Sequence, residues 1–404
     1  MDISEYIPKI MSLSKEHEET VISWRRHLHQ HPELSFEEFR TSDFIAEKLS
    51  GMGCEVARNV GGTGVVGLLD TKRPGSVVAF RADMDALPVT EAAGLPFASE
   101  NTGVMHACGH DAHMAILLGL AKVLSECVSD LKGVIKFVFQ PGEEANGGAR
   151  CMIDAGVLEN PVVDAIFALH VIPDMPSGSI AIREGYMTAT DDEVIIRVTG
   201  MGAHSSAPQE GVNAVLIAAY IITAIQTILA TQISPFDIAT FSICTVKGGE
   251  AQNVVPDYAE MTGMLRCIET KDKLIFRESI QKICENTALA LGGSAEAEFT
   301  EGFPAVNNDK GYTALLAECA ARVLNPADIV ELGRPHMGSE DFSYYQGHVP
   351  GVMFMLGSRA AGEYSGPLHS SSFKVCEDSL LHGVRVFASL AFGMCVEAPD
   401  VSSK

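Results

Sequence analysis

The sequence predicts an α/β protein of two domains: a catalytic domain with a central mixed, largely parallel sheet, and an inserted α+β lid or dimerisation domain. Three observations predict this. The chain has 404 residues, which is long for one compact core of usual size. Short apolar runs alternate with helical patterns in both terminal parts. In the middle of the chain the order of strand and helix patterns is different.

Four β-rich runs define the catalytic domain. They are SVVAF before RADMD, GVIKFVF before QPGEE, DAIFALHV before IPD, and GVMFMLG near the C-terminus. Between the first two lies DAHMAILLGLAKVLSE, whose apolar residues recur at helical spacing, with Asp111 near the positive end of the helix dipole. This alternation is typical of a largely parallel sheet, whose ligand-binding loops follow the strands.

The middle of the chain has a strand, helix, two strands, helix, strand pattern. Its segments are DEVIIRVTG, a long apolar helix, ATFSICTVKGG, AEMTGMLRC, a helix over about 271–291, and AEAEFTEG. Such a unit can form its own sheet with helices on one face. We therefore predict an inserted domain over 187–302 and a catalytic domain over 1–186 plus 303–404.

Charge argues against several classes of partner. The net charge is −23 and the chain has no Lys/Arg-rich run, so nucleic acid and anionic membrane surfaces would be repelled. The longest apolar run, at 214–230, falls short of the about 20 residues of a membrane span, and we predict a buried helix there.

The cysteines and the N-terminal residues indicate the cellular compartment of the protein. Ten cysteines at irregular spacing are typical of reduced thiols, and the acidic N-terminal residues do not form a signal peptide. A cytoplasmic protein is expected. The final segment EAPDVSSK is expected to be a solvated tail.

The segment VMHACGHDAHMA carries the first metal-binding signal. Cys108 and His110 are two residues apart, so in an extended loop both side chains can reach one metal ion. The loop FQPGEEANGG adds Glu143 and Glu144, of which one can bind metal while the other acts as a base. Neither signal is specific alone.

Two further histidines extend the set. His170 ends the strand AIFALH and His369 lies in the loop GPLHSSSF. Taken alone, His170 is more often a hydrogen-bonded core residue than a ligand. With Cys108, His110 and Glu144, however, these residues supply five ligands, enough for two metal ions, and Glu143 remains as a spare carboxylate.

A denser histidine cluster lies in RRHLHQHPE. His27 and His31 have the i, i+4 spacing that can chelate a metal on a helix. Pro32 marks a helix end, and the sequence nearby supplies no carboxylate ligand. The cluster is therefore not predicted to form the catalytic centre.

Eight ordered motifs resemble the zinc-dependent amidohydrolase branch of the aminoacylase and carboxypeptidase family. That branch includes hippurate hydrolases, indole-acetyl-amino acid hydrolases and N-acetyl-diaminopimelate deacetylases. The motifs are RRHLHQHPELSFEE, RADMDALPVTE, MHACGHDAHMA, FQPGEE, ALHV, GMGAHSSAPQEGVNAV, QNVVPDYAEMTGMLR and MGSEDF. They span nearly the whole chain.

The resemblance implies roles for the predicted residues. The metal ligands it implies are Cys108, His110, Glu144, His170 and His369. Glu143 is implied as the general base, which takes a proton from a water molecule and returns it to the leaving amine. Two divalent ions are implied; thiolate favours zinc, while manganese, cobalt or nickel stay open.

Other roles follow from positions in the motifs. The wider family has a His-x-Asp pair where this sequence reads RADMD; Asp83 replaces that His, and Asp85 corresponds to the Asp and is a catalytic candidate. Cys108 then becomes the candidate bridge between the metal ions. The resemblance also implies that His204 stabilises transition-state charge, from its own chain or a partner subunit, and that Asn253 and Arg266 hold a substrate carboxylate.

The leading hypothesis is hydrolysis of N-acyl L-amino acids, with acetyl or aromatic acyl groups, to a carboxylic acid and a free amino acid. A dipeptidase or carboxypeptidase of the same fold is the alternative. Two further hypotheses are a thiol hydrolase with Cys108 as nucleophile and a scaffold that binds a small acid. A homodimer or homotetramer is expected, because an exposed strand edge in the lid can pair across a two-fold axis.

Overall fold

The computed structural model describes residues 3–145 and 147–396, and the expected solvated tail lies outside the described residues. The chain divides into two compact units. The first contains Met1–Met187, Val306–Arg334 and Asp341–Lys404, and the second contains Thr188–Ala305 and Pro335–Glu340.

The units differ from the sequence boundaries at three places: Met187 lies in the first unit, and 303–305 and Pro335–Glu340 lie in the second. The sequence placed Pro335–Glu340 in the catalytic domain, whereas the structure groups it with the second unit. The reason is hydrogen bonding: the Ala189 amide donates to the Gly338 carbonyl at 3.0 Å, and Arg266 Nη1 donates to the Met337 carbonyl at 3.0 Å.

The described residues form ten α-helices and sixteen strands, with short 3-10 turns between them. The helices are α1 Ile7–Glu16, α2 Glu18–Gln30, α3 Phe39–Gly51, α4 His110–Ser125, α5 Gly148–Asp154, α6 Ala214–Thr231, α7 Thr270–Ala290, α8 Lys310–Ala320, α9 Phe342–Gln346 and α10 Asp378–Cys395. The strands are β1 Glu55–Val60, β2 Gly64–Asp70, β3 Val77–Asp83, β4 Val134–Gln140, β5 Ala165–Pro176, β6 Ile180–Ile182, β7 Gly185–Tyr186, β8 Asp192–Thr199, β9 Ala203–His204, β10 Ala239–Gly248, β11 Val254–Val255, β12 Tyr258–Cys267, β13 Ser294–Thr300, β14 Asn307–Asn308, β15 Ile329–Glu331 and β16 Gly351–Arg359.

The first unit is built on an eight-stranded sheet in the order β1-β2-β4-β3-β5-β16-β6-β15. The pairs β4–β3, β3–β5, β5–β16 and β6–β15 are parallel, and the remaining three are antiparallel. The predicted mixed, largely parallel sheet is confirmed. Because β3, β4 and β5 are parallel, the loops that follow them leave from one edge of the sheet.

Side chains alternate between the two faces of this sheet. On β3, Phe80 and Ala82 pack into the larger core cluster with α2, α4 and α10, whereas Ala79 packs into the cluster on the opposite face with α5 and α9. Burial on both faces explains why these strands read as continuous apolar runs rather than as alternating ones.

Helix α4 is the central helix of the larger core cluster. Fourteen of its sixteen residues are buried, including the polar His110, Asp111 and His113 at its start. An all-round apolar sequence is what a helix enclosed on every side requires. The same helix therefore anchors the core and carries chemistry-bearing residues at its N-terminus.

The second unit has a four-stranded antiparallel sheet in the order β10-β12-β8-β13, against which α6 and α7 pack. A separate ribbon pairs β9 with β11, with His204 opposite Val254. The α+β element order predicted for the inserted segment is confirmed.

The prediction of a buried helix at 214–230 was wrong for one face. In α6 only Ala214, Ile217, Ala218, Ile221, Ile225 and Ile228 are buried. Leu216 and Tyr220 are 50% and 56% exposed. By length and composition α6 could cross a membrane, and about a third of its span is buried in the structure. Apolar residues all round the helix indicated burial, but this chain covers only one side.

Candidate metal centre

A tight turn presents Cys108 and His110. Gly109 caps the N-terminus of α4 with a φ of 89°, and a Cβ there would lie 2.3 Å from Cγ2 of Val171. A side chain is therefore excluded by both conformation and space. Cys108 ends the loop and His110 begins the helix, so the two donor side chains flank Gly109 at this corner.

Cys108 lies between two groups of donor side chains. Its donor atom lies within 4.8 Å of those of His110 and His170, and also within 4.8 Å of those of Glu144 and His369. The Sγ atom is 3.4 Å from Nε2 of His170. The structure thus brings together all five residues predicted as metal ligands, with the thiol common to both groups.

His110 has the orientation of a ligand imidazole. Its Nδ1 donates a hydrogen bond to the carbonyl of Asp85 at 2.8 Å, which leaves the Nε2 lone pair available. Nε2 is fully buried and has no hydrogen-bond partner among the described residues. A backbone acceptor on one ring nitrogen is the usual support for metal binding by the other, so this buried nitrogen fits a metal ion.

His170 is oriented in the same way. Its Nδ1 donates to the carbonyl of Val171 at 2.8 Å, and Nε2 faces Cys108. Burial, with the neighbouring His113, lowers the pKa of His170 to about 3. The imidazole is neutral at physiological pH, which is the form that binds metal.

The Glu143–Glu144 loop is held by one carboxylate. Asp85 accepts the amides of Glu143 and Glu144 at 3.1 and 3.0 Å, and the hydroxyl of Ser35 at 2.6 Å. Burial would raise the pKa of Asp85, but hydrogen bonds from His110 and Ser35 outweigh it and hold the pKa below its ordinary value. Asp85 is therefore an anionic anchor for this loop.

His369 closes the second donor group from a distant loop. Its Nε2 is 3.2 Å from Oε1 of Glu144, and its amide donates to the carbonyl of Ala107 at 2.9 Å. The residue has a φ of 64°, a conformation that is uncommon for a side chain of this size. Hydrogen bonds with Cys108 and Glu144 raise the pKa of His369 to about 10. The two groups that raise this pKa are themselves members of the same donor set.

Asp83 does not replace the missing histidine as a simple ligand. Its carboxylate accepts a hydrogen bond from Nδ1 of His113 at 2.6 Å, while Nε2 of His113 accepts one from the amide of Val171 at 2.9 Å. Both nitrogens of His113 are thus used by the protein. Asp83 also accepts Arg81 Nη1 at 2.8 Å and lies 3.7 Å from Nε2 of His110.

Arg81 is buried and connects several elements behind the centre. It donates to Asp83, to Gln140 at 2.9 Å and to Asp341 at 2.8 Å. Asp341 in turn accepts Gln140 Nε2 and the amide of Ala149. Every charge in this network has a partner, as burial requires.

A second buried network holds the start of α4 from the side of α2. Arg25 Nε and His29 Nδ1 donate to the same oxygen of Asp111, at 2.7 and 2.8 Å. Nε2 of His29 lies 3.3 Å from Glu91. Asp111 directly follows His110, so these contacts fix the corner that presents the donor side chains.

The remaining predicted site residues lie in the second unit. His204 is exposed on β9, and its Nδ1 accepts hydrogen bonds from the amide and hydroxyl of Ser206 at 3.1 and 2.7 Å. An amide can donate only to a lone pair, so the proton of the neutral ring is on Nε2, which makes that nitrogen a donor. Asn253 is exposed, and its carbonyl accepts the amide of Ser205. Arg266 lies on β12 and donates to Met337.

Sequence reasoning did not identify Ser35, Arg81, Arg25 and His29 as contributors. The available signal was the charge itself: Arg25 and His29 lie on the same apolar face of α2 as Val21 and Leu28, and Arg81 interrupts an apolar strand. Ionisable residues at core positions are retained only with buried partners.

Comparison with known proteins agrees with this geometry. Thermostable carboxypeptidase 2 of Saccharolobus solfataricus is 39% identical over 394 residues, covering 96% of this chain and 98% of that protein. N-acetylcysteine deacetylase of Bacillus subtilis is 37% identical over 372 residues, covering 92% and 96%. The crystal structure of Bacillus subtilis YxeP, a dinuclear metal-binding peptidase, aligns with a TM-score of 0.81 and 34% identity, covering 93% of this chain and 98% of that one.

Fold and donor set together define a metal-dependent hydrolase with an α/β catalytic unit and a second α+β unit. Residues 79–392 match the model of peptidase family M20/M25/M40. The chain belongs to this family, in its aminoacylase and amidohydrolase branch.

Proposed function

We propose that this protein hydrolyses the amide bond of N-acyl L-amino acids, releasing a carboxylic acid and a free amino acid. One observation carries the proposal: five donor side chains from four separate segments of the chain form two groups that share Cys108, and Glu143 lies beside them. The donor atoms of Glu143, Glu144 and His110 lie within 4.8 Å of one another. A base next to a metal centre is the arrangement for activating water.

Two divalent ions are the cofactor that the donor set supports. Cys108, His110 and His170 would hold one ion; Cys108, Glu144 and His369 would hold the other. Mixed sulfur, nitrogen and oxygen donors favour zinc, and also suit manganese, cobalt or nickel. Bound metal would supply Lewis acidity that polarises the amide carbonyl and acidifies a water molecule.

The protein's own groups then move the proton. Glu143 takes the proton from the attacking water and delivers it to the leaving amine nitrogen, which lets the amino acid depart as a neutral amine. Asp85 holds the amides of Glu143 and Glu144, so it positions both carboxylates. We therefore assign Asp85 a positioning role in the reaction rather than one in proton transfer.

His204 is assigned to the transition state. Its Nε2 proton, fixed by the Ser206 hydrogen bonds, is a donor for the oxygen of the tetrahedral species. Arg266 and Asn253 are assigned to the α-carboxylate of the amino acid, for which a guanidinium has suitable two-pronged geometry.

We also propose a homodimer through the second unit, with a tetramer as the alternative. The exposed face of α6 is apolar, at Val215, Leu216 and Tyr220, and β10 is an unpaired edge of its sheet. A second copy would cover this face and pair with the edge strand. Residence in the cytoplasm is supported by ten free cysteines and no disulfide.

A carboxypeptidase or dipeptidase activity is the second candidate. It is supported by the 39% identity with a thermostable carboxypeptidase. The two activities differ in the group on the carbonyl side of the scissile bond: a simple acyl group in one case, an aminoacyl or peptidyl group in the other.

The deciding experiment uses metal-stripped protein with and without added zinc, manganese or cobalt. Its substrate panel is hippurate, N-acetyl-methionine, N-acetyl-cysteine, indole-acetyl-alanine, a dipeptide and a blocked carboxypeptidase substrate. Metal-restored release of amino acid from the N-acyl compounds is expected. Cleavage of the peptides alone would favour the second candidate, and activity indifferent to metal would exclude the two-ion centre.

A pair of variants tests His204 directly. His204→Ala and Glu143→Gln are each expected to be inactive. If His204 acts across the dimer, mixing the two variants restores up to about a quarter of wild-type activity, because the mixed dimer has one complete site. No recovery after proven subunit exchange would place His204 in its own chain's site.

A further inference from the structure

Three consecutive backbone amides of the loop after β4 donate to buried carboxylates. The amides of Glu143 and Glu144 donate to Asp85. The amide that precedes them, that of Gly142, donates to Oε1 of Glu38 at 3.0 Å. Glu38 is fully buried and lies 104 positions away in the chain. The loop is therefore held by carboxylates from two separate segments.

The side chain of Glu38 does not stabilise its own helix. Glu38 is the N-cap residue of α3, a position whose side chain usually accepts an amide of the first helical turn. Its side chain makes no such bond, and Glu33 accepts the amides of Arg40 and Thr41 instead, at 3.3 and 2.9 Å. Because Glu33 caps the helix, the carboxylate of Glu38 is available to the loop.

Both carboxylate oxygens of Glu38 have donors. Oε2 accepts the hydroxyl of Thr63, which is also buried, while Oε1 accepts the Gly142 amide. A buried carboxylate is costly unless its oxygens are hydrogen-bonded, and this one meets the requirement. Since Thr63 fixes one oxygen, the other is an acceptor of defined position for the loop.

An aromatic ring from the same segment packs against the loop. Phe36 has a φ of 63°, a conformation that is uncommon for an aromatic residue. A Cβ at Gly142, whose φ is 59°, would lie 2.6 Å from Cε2 of this ring, so ring and loop backbone are in close contact. Ser35 donates to Asp85 at 2.6 Å. Three neighbouring side chains of one segment thus support the loop, directly or through Asp85.

We propose that Glu38 is a positioning residue of the hydrolytic site. By accepting the Gly142 amide it sets, together with Asp85, the placement of Glu143 beside the metal-binding side chains. The inference rests on the proposed function, in which Glu143 moves the proton. A misplacement of about 1 Å can lower a rate by about 100-fold, so loss of this acceptor should lower kcat.

Three substitutions of Glu38 separate the position of the acceptor oxygen from its charge. Glu38→Gln keeps an oxygen for the Gly142 amide, and the hydroxyl of Thr63 can accept from the new NH₂ group, so kcat should stay within about threefold of wild type. Glu38→Asp keeps the charge but withdraws the oxygen by one C–C bond, roughly 1.5 Å. It should lower kcat by about 10- to 100-fold with little change in KM. Glu38→Met, which has no acceptor, should lose at least as much.

The matched control is Glu33→Met, which removes the cap of α3 and leaves the contact between Glu38 and Gly142 in place. It should lower the midpoint of thermal unfolding and keep kcat within about threefold of wild type. The proposal is overturned if Glu33→Met loses as much kcat as Glu38→Met, since Glu38 would then only support α3. It is also overturned if Glu38→Gln is as slow as Glu38→Asp.

Hydrogen exchange tests the contact without using enzyme activity. Peptides that contain Gly142–Glu144 should exchange at least about tenfold faster in Glu38→Asp than in wild type or Glu33→Met, because amides without a buried acceptor open more readily. Glu38→Asp carries both readouts if Glu38→Met does not fold. Unchanged exchange in an active enzyme would overturn the positioning role. If wild type hydrolyses no substrate of the panel, the proposed function fails, and exchange alone decides whether Glu38 holds the loop.

Discussion

The amide of Glu144 donates to the carboxylate of Asp85 at 3.0 Å, and the amide of Glu143 donates to the other oxygen of the same carboxylate at 3.1 Å. One buried side chain thus sets the position of both the proposed base and a proposed ligand. The donors come from a loop that follows β4, and the acceptor from one that follows β3.

Asp85→Asn should lower kcat and leave the overall fold in place. The amide retains one acceptor oxygen but presents N–H groups to a backbone amide, so the loop must shift. A loss of about 10- to 100-fold in kcat is expected, as for partners that support a metal ligand. Steady-state kinetics at saturating metal measure it. Asp70→Asn, at the exposed end of β2, is the control, and unchanged kcat in Asp85→Asn would contradict the positioning role.

Variants of Glu143 and Glu144 should differ in the number of metal ions that they retain. Glu143→Gln is expected to keep both ions and lose about 10²–10⁴-fold in kcat, the usual contribution of a general base. Glu144→Gln is expected to lose one ion. Metal analysis of purified, reloaded protein measures the difference. Equal metal loss in both variants would contradict the assignment of Glu143 as base and Glu144 as ligand. The control is Glu363→Gln, which changes an exposed carboxylate.

Arg81→Met should be strongly destabilising. The change leaves the buried carboxylates of Asp83 and Asp341 without their guanidinium. Breaking a buried pair by removing one partner costs about 3–5 kcal/mol. Urea unfolding of the metal-free protein measures the free energy. Arg58→Met, from an exposed ion pair, should change it by less than about 1 kcal/mol. A similar small change for Arg81→Met would show that the carboxylates are neutral.

Arg25→Met should change the acid stability of the protein. Burial alone would raise the pKa of Asp111, but Arg25 and His29 hold it far below its ordinary value. A carboxyl whose pKa is lowered by folding stabilises the native state above its unfolded pKa, about 3.9, and this contribution is lost as the pH falls below that value. The variant should be less stable at pH 7 and show a shallower loss of stability between about pH 5 and 2. If the free energy of unfolding of the variant and of the wild type changed with pH in parallel, Arg25 would not be what holds the pKa of Asp111 low.

Charges on the exposed face of α6 should separate the proposed dimer. Leu216→Glu and Tyr220→Glu place carboxylates on the apolar surface, and the double variant is expected to sediment as a monomer. Leu274→Glu on α7, where the leucine is 60% exposed, should remain dimeric. If His204 acts across the dimer, the monomeric variant also loses activity, and a dimer that persists would place the interface elsewhere.

The sequence by itself determined the element types and most of the donor residues. Apolar periodicity predicted four of the eight strands of the larger sheet and all four of the smaller one. Residue chemistry near the strand ends predicted Cys108, His110, Glu143 and Glu144, because both signals are local. His170 and His369 were identifiable only as members of a set, since each alone resembles an ordinary histidine.

Only the tertiary structure decided how these residues are supported. Arg81 and Asp341 are 260 positions apart, and Arg25 and Asp111 are 86 apart, so no spacing rule relates them. The same holds for the contact between Glu38 and the amide of Gly142 and for the exposed face of α6. Hydrogen bonds and burial depend on which segments pack together in space, and local periodicity carries no record of that.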